Sequence, residues 1–319
     1  MMKRIEAIDQ FRGFAILLMI LANYMNNVSL IPAWLKHADD IGYTVIDLVA
    51  PLFIFAMGLT YGFSFRRRLA RDGAWKTYQH FLTRYMALLG LGYLITLVWE
   101  LSGIQPPSVN WGLLQTLGAA GLIALPLIRL SPTWRGVVGL GMLAGYQLFL
   151  DRFWLQEVLI APHNGPWGAL SWGAMLILAT VMADLYHDAR RRRWTFPLLS
   201  AGLVVSSLVL ALLVPLSKDR ASASYVILSL GLSGLVFFLF SLLAETWQWR
   251  LPILTDWGRN PLLLYLLHYV LLGVFALPNI PAWYVQASIW LVIFQILTLI
   301  GVLSWVGSYL NKRKLYVVL

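Results

Sequence analysis

The chain has 319 residues, 60% of them hydrophobic and 12% charged, about half the roughly 25% charged share of an average soluble domain. That excludes an ordinary water-soluble globule, and the lack of any cysteine excludes disulfides, thiolate nucleophiles, cysteine-type zinc sites and iron–sulfur clusters. Lysine and arginine exceed aspartate and glutamate by 24 − 14 = 10, but the cations bunch at the ends of apolar runs instead of covering one face, so nucleic acid is excluded as a partner.

At about 20 residues per span and roughly 30 with its connection, the length accommodates about ten spans. In chain order the apolar runs fall near residues 8–28, 44–64, 81–99, 111–130, 135–150, 168–186, 196–216, 224–244, 257–276 and 284–309. The expected fold is all-α: a polytopic integral membrane helical bundle of about ten transmembrane helices, with 1–319 as a single domain. The first run follows Lys3 and Arg4 in the manner of a signal peptide. Asp9 and Arg12 interrupt its start, however, and no small-residue cleavage site follows, so it reads as a retained span. With the N-terminus inside, Arg66, Arg67, Arg68, Arg71, Lys76, Arg129, Arg135, residues 190–193, Arg250 and residues 312–314 fall on the cytoplasmic side. Only Lys36, Arg152, Lys218 and Arg220 fall outside, which makes both termini cytoplasmic. No internal repeat of the kind that builds many transporters is visible.

Unusual polar residues crowd into residues 9–47 and recur near residue 260. Asp9 and Arg12, three residues apart, share a helical face and can pair. Arg12 is then either an interfacial anchor or a cation facing a cavity and meeting an anionic ligand from the cytoplasm. Asn23 stands eleven residues on, about 16 Å along the helix at 1.5 Å per residue, toward the outer leaflet. His37 lies in the short outer connection beside Asp39 and Asp40, and Asp47 opens the second span. A carboxylate just inside a span is costly unless it is paired; beside an imidazole it would fix the tautomer and stabilise the cation. Such a pair suits general-base work, with Asn23 offering an amide donor to a developing oxyanion. Two plainer readings stand beside this one: a merely solvated loop histidine, and a metal set of His37, Asp39 and Asp40, which matches no recognised zinc spacing. Asn260 and His268, eight residues apart, would share one helix face, where they either line a cavity or join helices by hydrogen bonds.

The run from Arg4 through Asp9-Gln-Phe-Arg12-Gly13 to Asn23-Tyr24, followed by Lys36-His37-Ala38, Gly42, Thr44, Asp47-Leu-Val and Pro51 through Gly58, resembles the opening of the heparan-alpha-glucosaminide N-acetyltransferase family, a branch of the transmembrane acyltransferases. Gly258-Arg-Asn260-Pro-Leu-Leu-Leu-Tyr265-Leu-Leu-His268 resembles that family's late helix, and Gly112-Leu-Leu-Gln115 matches weakly between them, with Thr116 where eukaryotic members place arginine. The related acyltransferase 3 branch would carry a histidine inside the first span, where this chain has Asn23 and Tyr24. The segment Asp39-Asp40-Ile41-Gly42 departs from the family's usual aromatic and asparagine before the glycine.

The resemblance implies a membrane-embedded transferase that moves an acetyl group from cytoplasmic acetyl-CoA to a hydroxyl or amine of a glycan or amino-sugar acceptor on the extracytoplasmic side; the expected location is the bacterial inner (plasma) membrane. His37 falls on the family's catalytic histidine, Asn23 on its partner asparagine and Asp47 on an acidic position of the same motif. The donor would enter from the arginine-rich inner side, with Arg12 and Arg66 near its phosphates and Asn260 and His268 on the opposite wall. No metal is expected. Membrane lipid and a second copy of the chain, as a homodimer, complete the expected partners. His37 acts as general base or carries the acyl group; the residues do not choose between these. The alternative from another class is a transporter or permease for an anionic small solute that uses Arg12 and Asp47 as pathway charges, and a third reading is a non-catalytic scaffold.

Overall fold

The computed structural model describes residues 5–101, 111–276, 278 and 280–317; Lys3 and Arg4, which open the inner-side charge pattern, lie outside them. As the apolar runs require, the regular elements among the described residues are helical: α1 (Glu6–Met25), α2 (Val49–Leu101), α3 (Leu113–Ala124), α4 (Pro132–Phe149), α5 (Leu155–Ile160), α6 (Gly165–His187), α7 (Ala189–Arg192), α8 (Thr195–Leu210), α9 (Ala223–Ser241), α10 (Pro252–Arg259), α11 (Pro261–Ala276) and α12 (Ile289–Lys312). Among the described residues, four stretches are long and apolar enough to cross a membrane, Val45–Val98, Pro162–His187, Ala223–Thr246 and Ile289–Lys312, and a fifth is gained if α10 and α11 form one bent span.

The ten expected runs differ in length and continuity among the described residues. Runs 44–64 and 81–99 fall on the two helical segments of α2, which break at Gly73 (φ 79, ψ 175), a conformation that a residue without Cβ adopts at little cost; Tyr61 and Phe81 stack at 5.2 Å, so the second segment folds back along the first. Runs 111–130 and 196–216 yield α3, with 12 residues, and α8, with 16. At 1.5 Å per residue these reach about 18 Å and 24 Å, short of a hydrocarbon core of about 30 Å. The ninth run breaks: α10 and α11 are bent by 95° at Asn260 (φ −127, ψ 50). Pro261 is the reason, since proline disfavours the helical region for its predecessor and brings no N–H of its own. Asn260 and His268 thus do not share a helix, contrary to what their spacing predicts.

The described residues divide into two compact units, one within residues 5–38, 44–53 and 236–317, the other within residues 39–43 and 54–235. In the first, α1 packs backbone to backbone on α10. A Cβ at Gly13 would stand 1.9 Å from the carbonyl oxygen of Leu254, and one at Gly258 would stand 1.8 Å from that of Asp9. Small residues that admit such an approach are how helices associate where lipid offers no hydrophobic drive. Phe11 meets Phe237 edge-on at 5.4 Å, and the Tyr24 hydroxyl donates to Gln295 Oε1 (2.7 Å), whose amide donates to the Trp283 carbonyl (2.8 Å), which anchors α1 to α12.

The second unit is built on α6, whose residues 174–179 are buried with α3 and α4 packed against it. Gly58 of α2 lies against Ala179, where a Cβ would come within 2.5 Å of the alanine methyl. Near the start of α6, Ser171 donates to the Ala221 carbonyl (2.7 Å), Trp172 to Asn164 (2.9 Å) and Asn164 to the Lys218 carbonyl (2.8 Å). Tyr146 donates to the Arg220 carbonyl (2.8 Å). These bonds fix the turn preceding α9, and from it Arg220 grips Asp40 through two guanidinium nitrogens.

Candidate active site

Thr44 is extended (φ −119, ψ 169) and starts the short 3-10 turn Val45–Leu48 that feeds α2. The sequence Thr-x-x-Asp places an acidic side chain three residues past the cap, where it folds back onto the backbone of the capping residue. Asp47 does this: its Oδ2 accepts the N–H of Thr44 (2.9 Å) and that of Ala38 (3.2 Å). The Thr44 hydroxyl lies 2.7 Å from the Lys36 carbonyl and 3.1 Å from the same Oδ2, so the loop from Lys36 to Thr44 is closed around the carboxylate. Oδ1 remains for His37, whose Nδ1 stands 2.8 Å away.

Asp47 is 1% exposed, and a buried carboxylate persists only where donors surround it. Because an ionised carboxylate is acceptor-only, Nδ1 is the donor in this bond. That assigns the tautomer: the proton sits on Nδ1, and Nε2 carries a lone pair. The His37 side chain retains a third of its exposure, so that lone pair belongs to an accessible ring held by a buried anion, an arrangement able to accept a proton from an incoming hydroxyl or amine.

A second pair forms in the same unit. His268 is fully buried on α11; its Nδ1 bonds the Tyr265 carbonyl, so Nε2 is the acceptor facing Asn23 Nδ2 at 2.9 Å. The histidine thereby fixes which way the Asn23 amide points, with N–H toward the ring. The partners are 245 residues apart, and no local pattern in the sequence links them.

The other expected residues are distributed differently. Arg12 is half-buried on α1, and Asp9 faces Arg259 at 3.9 Å. Asn260 is fully buried at the helix break, donating to the Leu315 carbonyl (3.0 Å) and accepting from the Val317 N–H (3.0 Å). It holds the end of the chain, and its amide is engaged there. Arg66 pairs with Asp184 at 2.9 Å. Asp40, near the histidine in sequence, is bound by Arg220 and Ser217, and the guanidinium bond holds its carboxyl below the usual carboxylate range. Among the described residues no three histidine, cysteine or acidic side chains are grouped to hold a metal. Thr44 and His268 carry the geometry in ways that their sequence roles do not announce, although the Thr-x-x-Asp spacing is open to reading as a cap.

Comparison with known proteins agrees with the sequence resemblance. A family model described as heparan-alpha-glucosaminide N-acetyltransferase, catalytic, matches residues 4–211. That stretch contains Arg12, Asn23, His37, Asp47 and Arg66, while Asn260 and His268 lie beyond it. The chain is also similar to heparan-alpha-glucosaminide N-acetyltransferase of Homo sapiens, 45% identical over 56 residues, which is 17% of this chain and 8% of the human protein. The matched stretch is thus a small part of that relative's length.

Proposed function

The chain belongs to the heparan-alpha-glucosaminide N-acetyltransferase family, and from that premise we propose that it is a membrane-embedded acyltransferase that moves an acetyl group from cytoplasmic acetyl-CoA to a hydroxyl or amine of a glycan-type acceptor on the extracytoplasmic side. The observation that carries the reading is the bond from His37 Nδ1 to the buried Asp47.

In this mechanism His37 Nε2 removes the proton from the acceptor as the acceptor's lone pair attacks the acetyl carbonyl carbon. The Nδ1–Asp47 bond stabilises the imidazolium that results. Asn23, oriented by His268, donates an N–H to the developing oxyanion. As the carbon–sulfur bond breaks, the leaving thiolate takes the proton back from His37, which restores the starting tautomer. Arg12 serves the phosphate end of the donor.

On this reading the chain works as one transmembrane domain over residues 1–319, with about ten spans and both termini cytoplasmic, in a bacterial inner (plasma) membrane. Bunched cations at span ends support the orientation. The outward residues of α12, among them Trp290, Phe294, Leu297 and Trp305, suit a lipid environment.

The test is acyl transfer by the purified full-length chain in detergent, supplied with acetyl-labelled coenzyme and a panel of hexose and amino-sugar acceptors. Labelled product is expected from wild type, with a loss of about 10²-fold to 10⁴-fold in His37→Ala, a variant that still elutes as folded protein but melts somewhat below wild type because Asp47 Oδ1 loses its donor. Near-wild-type transfer by His37→Ala would refute the assignment. Label retained on wild-type His37 in the absence of acceptor would replace the general-base role with an acyl-histidine.

A further inference from the structure

At one end of α6, in the second unit, is a cavity of about 420 Å³ lined by Phe65, Arg66, Ile128, Arg129, Arg135 and Asp184, with Pro132 at its rim. Three guanidiniums thus face one carboxylate, an excess of 3 − 1 = +2. Both oxygens of that carboxylate are engaged, Oδ1 by Arg66 and Oδ2 by Arg135. Arg135 is 2% exposed and further held by Thr180 Oγ1 (2.7 Å) and the Leu130 carbonyl (3.1 Å), so it is a fixed charge in the wall. Nearby carboxylates offer no relief: Asp72 pairs with Arg68 and Arg71, and Asp188 with Arg191. Among the described residues, no side-chain hydrogen bond or ion pair holds the Arg129 guanidinium. The N-terminus of α4, an 18-residue helix capped by Ser131, adds its positive dipole end at the same rim.

Like charges gathered around one cavity are unfavourable unless an anion joins them. The excess of two calls for a ligand carrying close to two negative charges, and a phosphomonoester or diphosphate does so at neutral pH where a carboxylate does not. Planar guanidinium forks match phosphate oxygens in pairs. We propose that this cavity is a phosphate-binding site, with Arg129 and Arg66 closing on the ligand over the fixed Arg135–Asp184 pair. The two sources of such a group are a soluble nucleotide-type phosphate, the coenzyme included, and the headgroup of an anionic lipid. The site rests on charge and shape alone and stands whether or not the acyl-transfer reading holds.

The test compares wild type, Arg129→Gln and Arg129→Lys as full-length protein, by calorimetric titration with inorganic pyrophosphate in detergent and by native mass spectrometry with added phosphatidic acid. Arg129 is exposed, so both variants fold; a melting curve checks this. Loss of a charge-assisted bidentate contact lowers affinity about tenfold or more in Arg129→Gln. Arg129→Lys, which keeps the charge and loses the fork, falls between. Pyrophosphate binding that drops in this order identifies a soluble phosphate. Phosphatidic acid retention that drops in this order, with no pyrophosphate binding, identifies a lipid headgroup. Equal behaviour of wild type and Arg129→Gln toward both probes overturns the proposal.

Discussion

Asp47→Asn separates the two jobs of the buried carboxylate. In wild type Oδ2 accepts two backbone N–H groups, from Thr44 and Ala38, and Oδ1 accepts one ring N–H from His37. Asparagine keeps one acceptor oxygen and replaces the other with an NH₂ group. Turning that oxygen toward His37 would set the NH₂ against two backbone donors, each then unsatisfied at about 1–3 kcal/mol. The opposite orientation satisfies both backbone groups, so it prevails. The amide then donates to His37 Nδ1, the ring proton moves to Nε2, and the base loses its lone pair. The expected result is near-native stability with the general-base contribution removed, about 10²-fold to 10⁴-fold in rate, or roughly 3–5 kcal/mol of activation free energy. Acyl-transfer rates measured beside melting temperatures in detergent check both halves. Asp47→Ala, which abandons the backbone donors as well, should lose stability too. A folded Asp47→Asn protein that transfers acetyl within about tenfold of wild type would refute the tautomer argument.

Gly258→Ala should lower the melting temperature markedly, since its methyl would meet the Asp9 carbonyl at 1.8 Å and overpacking costs about 1–3 kcal/mol even where neighbours can move. Gly273→Ala, in the same unit with nothing within 4 Å, should be neutral or slightly stabilising, and equal melting of the two variants would contradict the packing described. Asp40→Asn should melt below wild type at pH 7. Because Arg220 lowers the Asp40 pKa in the folded state, its stabilisation is complete above the ordinary value of about 3.9 and fades as pH falls below it. The gap between the two proteins should therefore close in acid, and a gap independent of pH would sink the ion-pair account.

The local part of the site is legible in the sequence because its chemistry is local. His37 and Asp47 are ten residues apart, and the expense of a carboxylate inside a span predicts a partner among the few polar residues nearby. What spacing cannot supply is the tertiary pairing of Asn23 with His268 across the chain, since each is an ordinary polar residue on an apolar helix. Asn260 misleads for a readable reason: its eight-residue offset from His268 has helical periodicity, whereas the Asn260-Pro261 junction disfavours helix at the residue before proline. Run lengths are legible only in outline. Hydropathy separates the runs 44–64 and 81–99 but does not place the break between them at Gly73. Nor does it reveal that α3 stops after 12 residues.

The grip of Asn260 on Leu315 and Val317 makes the stretch after α12 a working part of the fold. It satisfies the side-chain amide of the buried residue at the helix break, which would otherwise lose both of these partners. A purification handle fused directly after this stretch pulls on the joint between α10 and α11, and a chain trimmed to the end of α12 leaves the buried Asn260 amide without either backbone partner. Engineers wanting a tether or a fluorescent reporter should interpose a flexible polar linker, so that the clasp can close before the cargo begins.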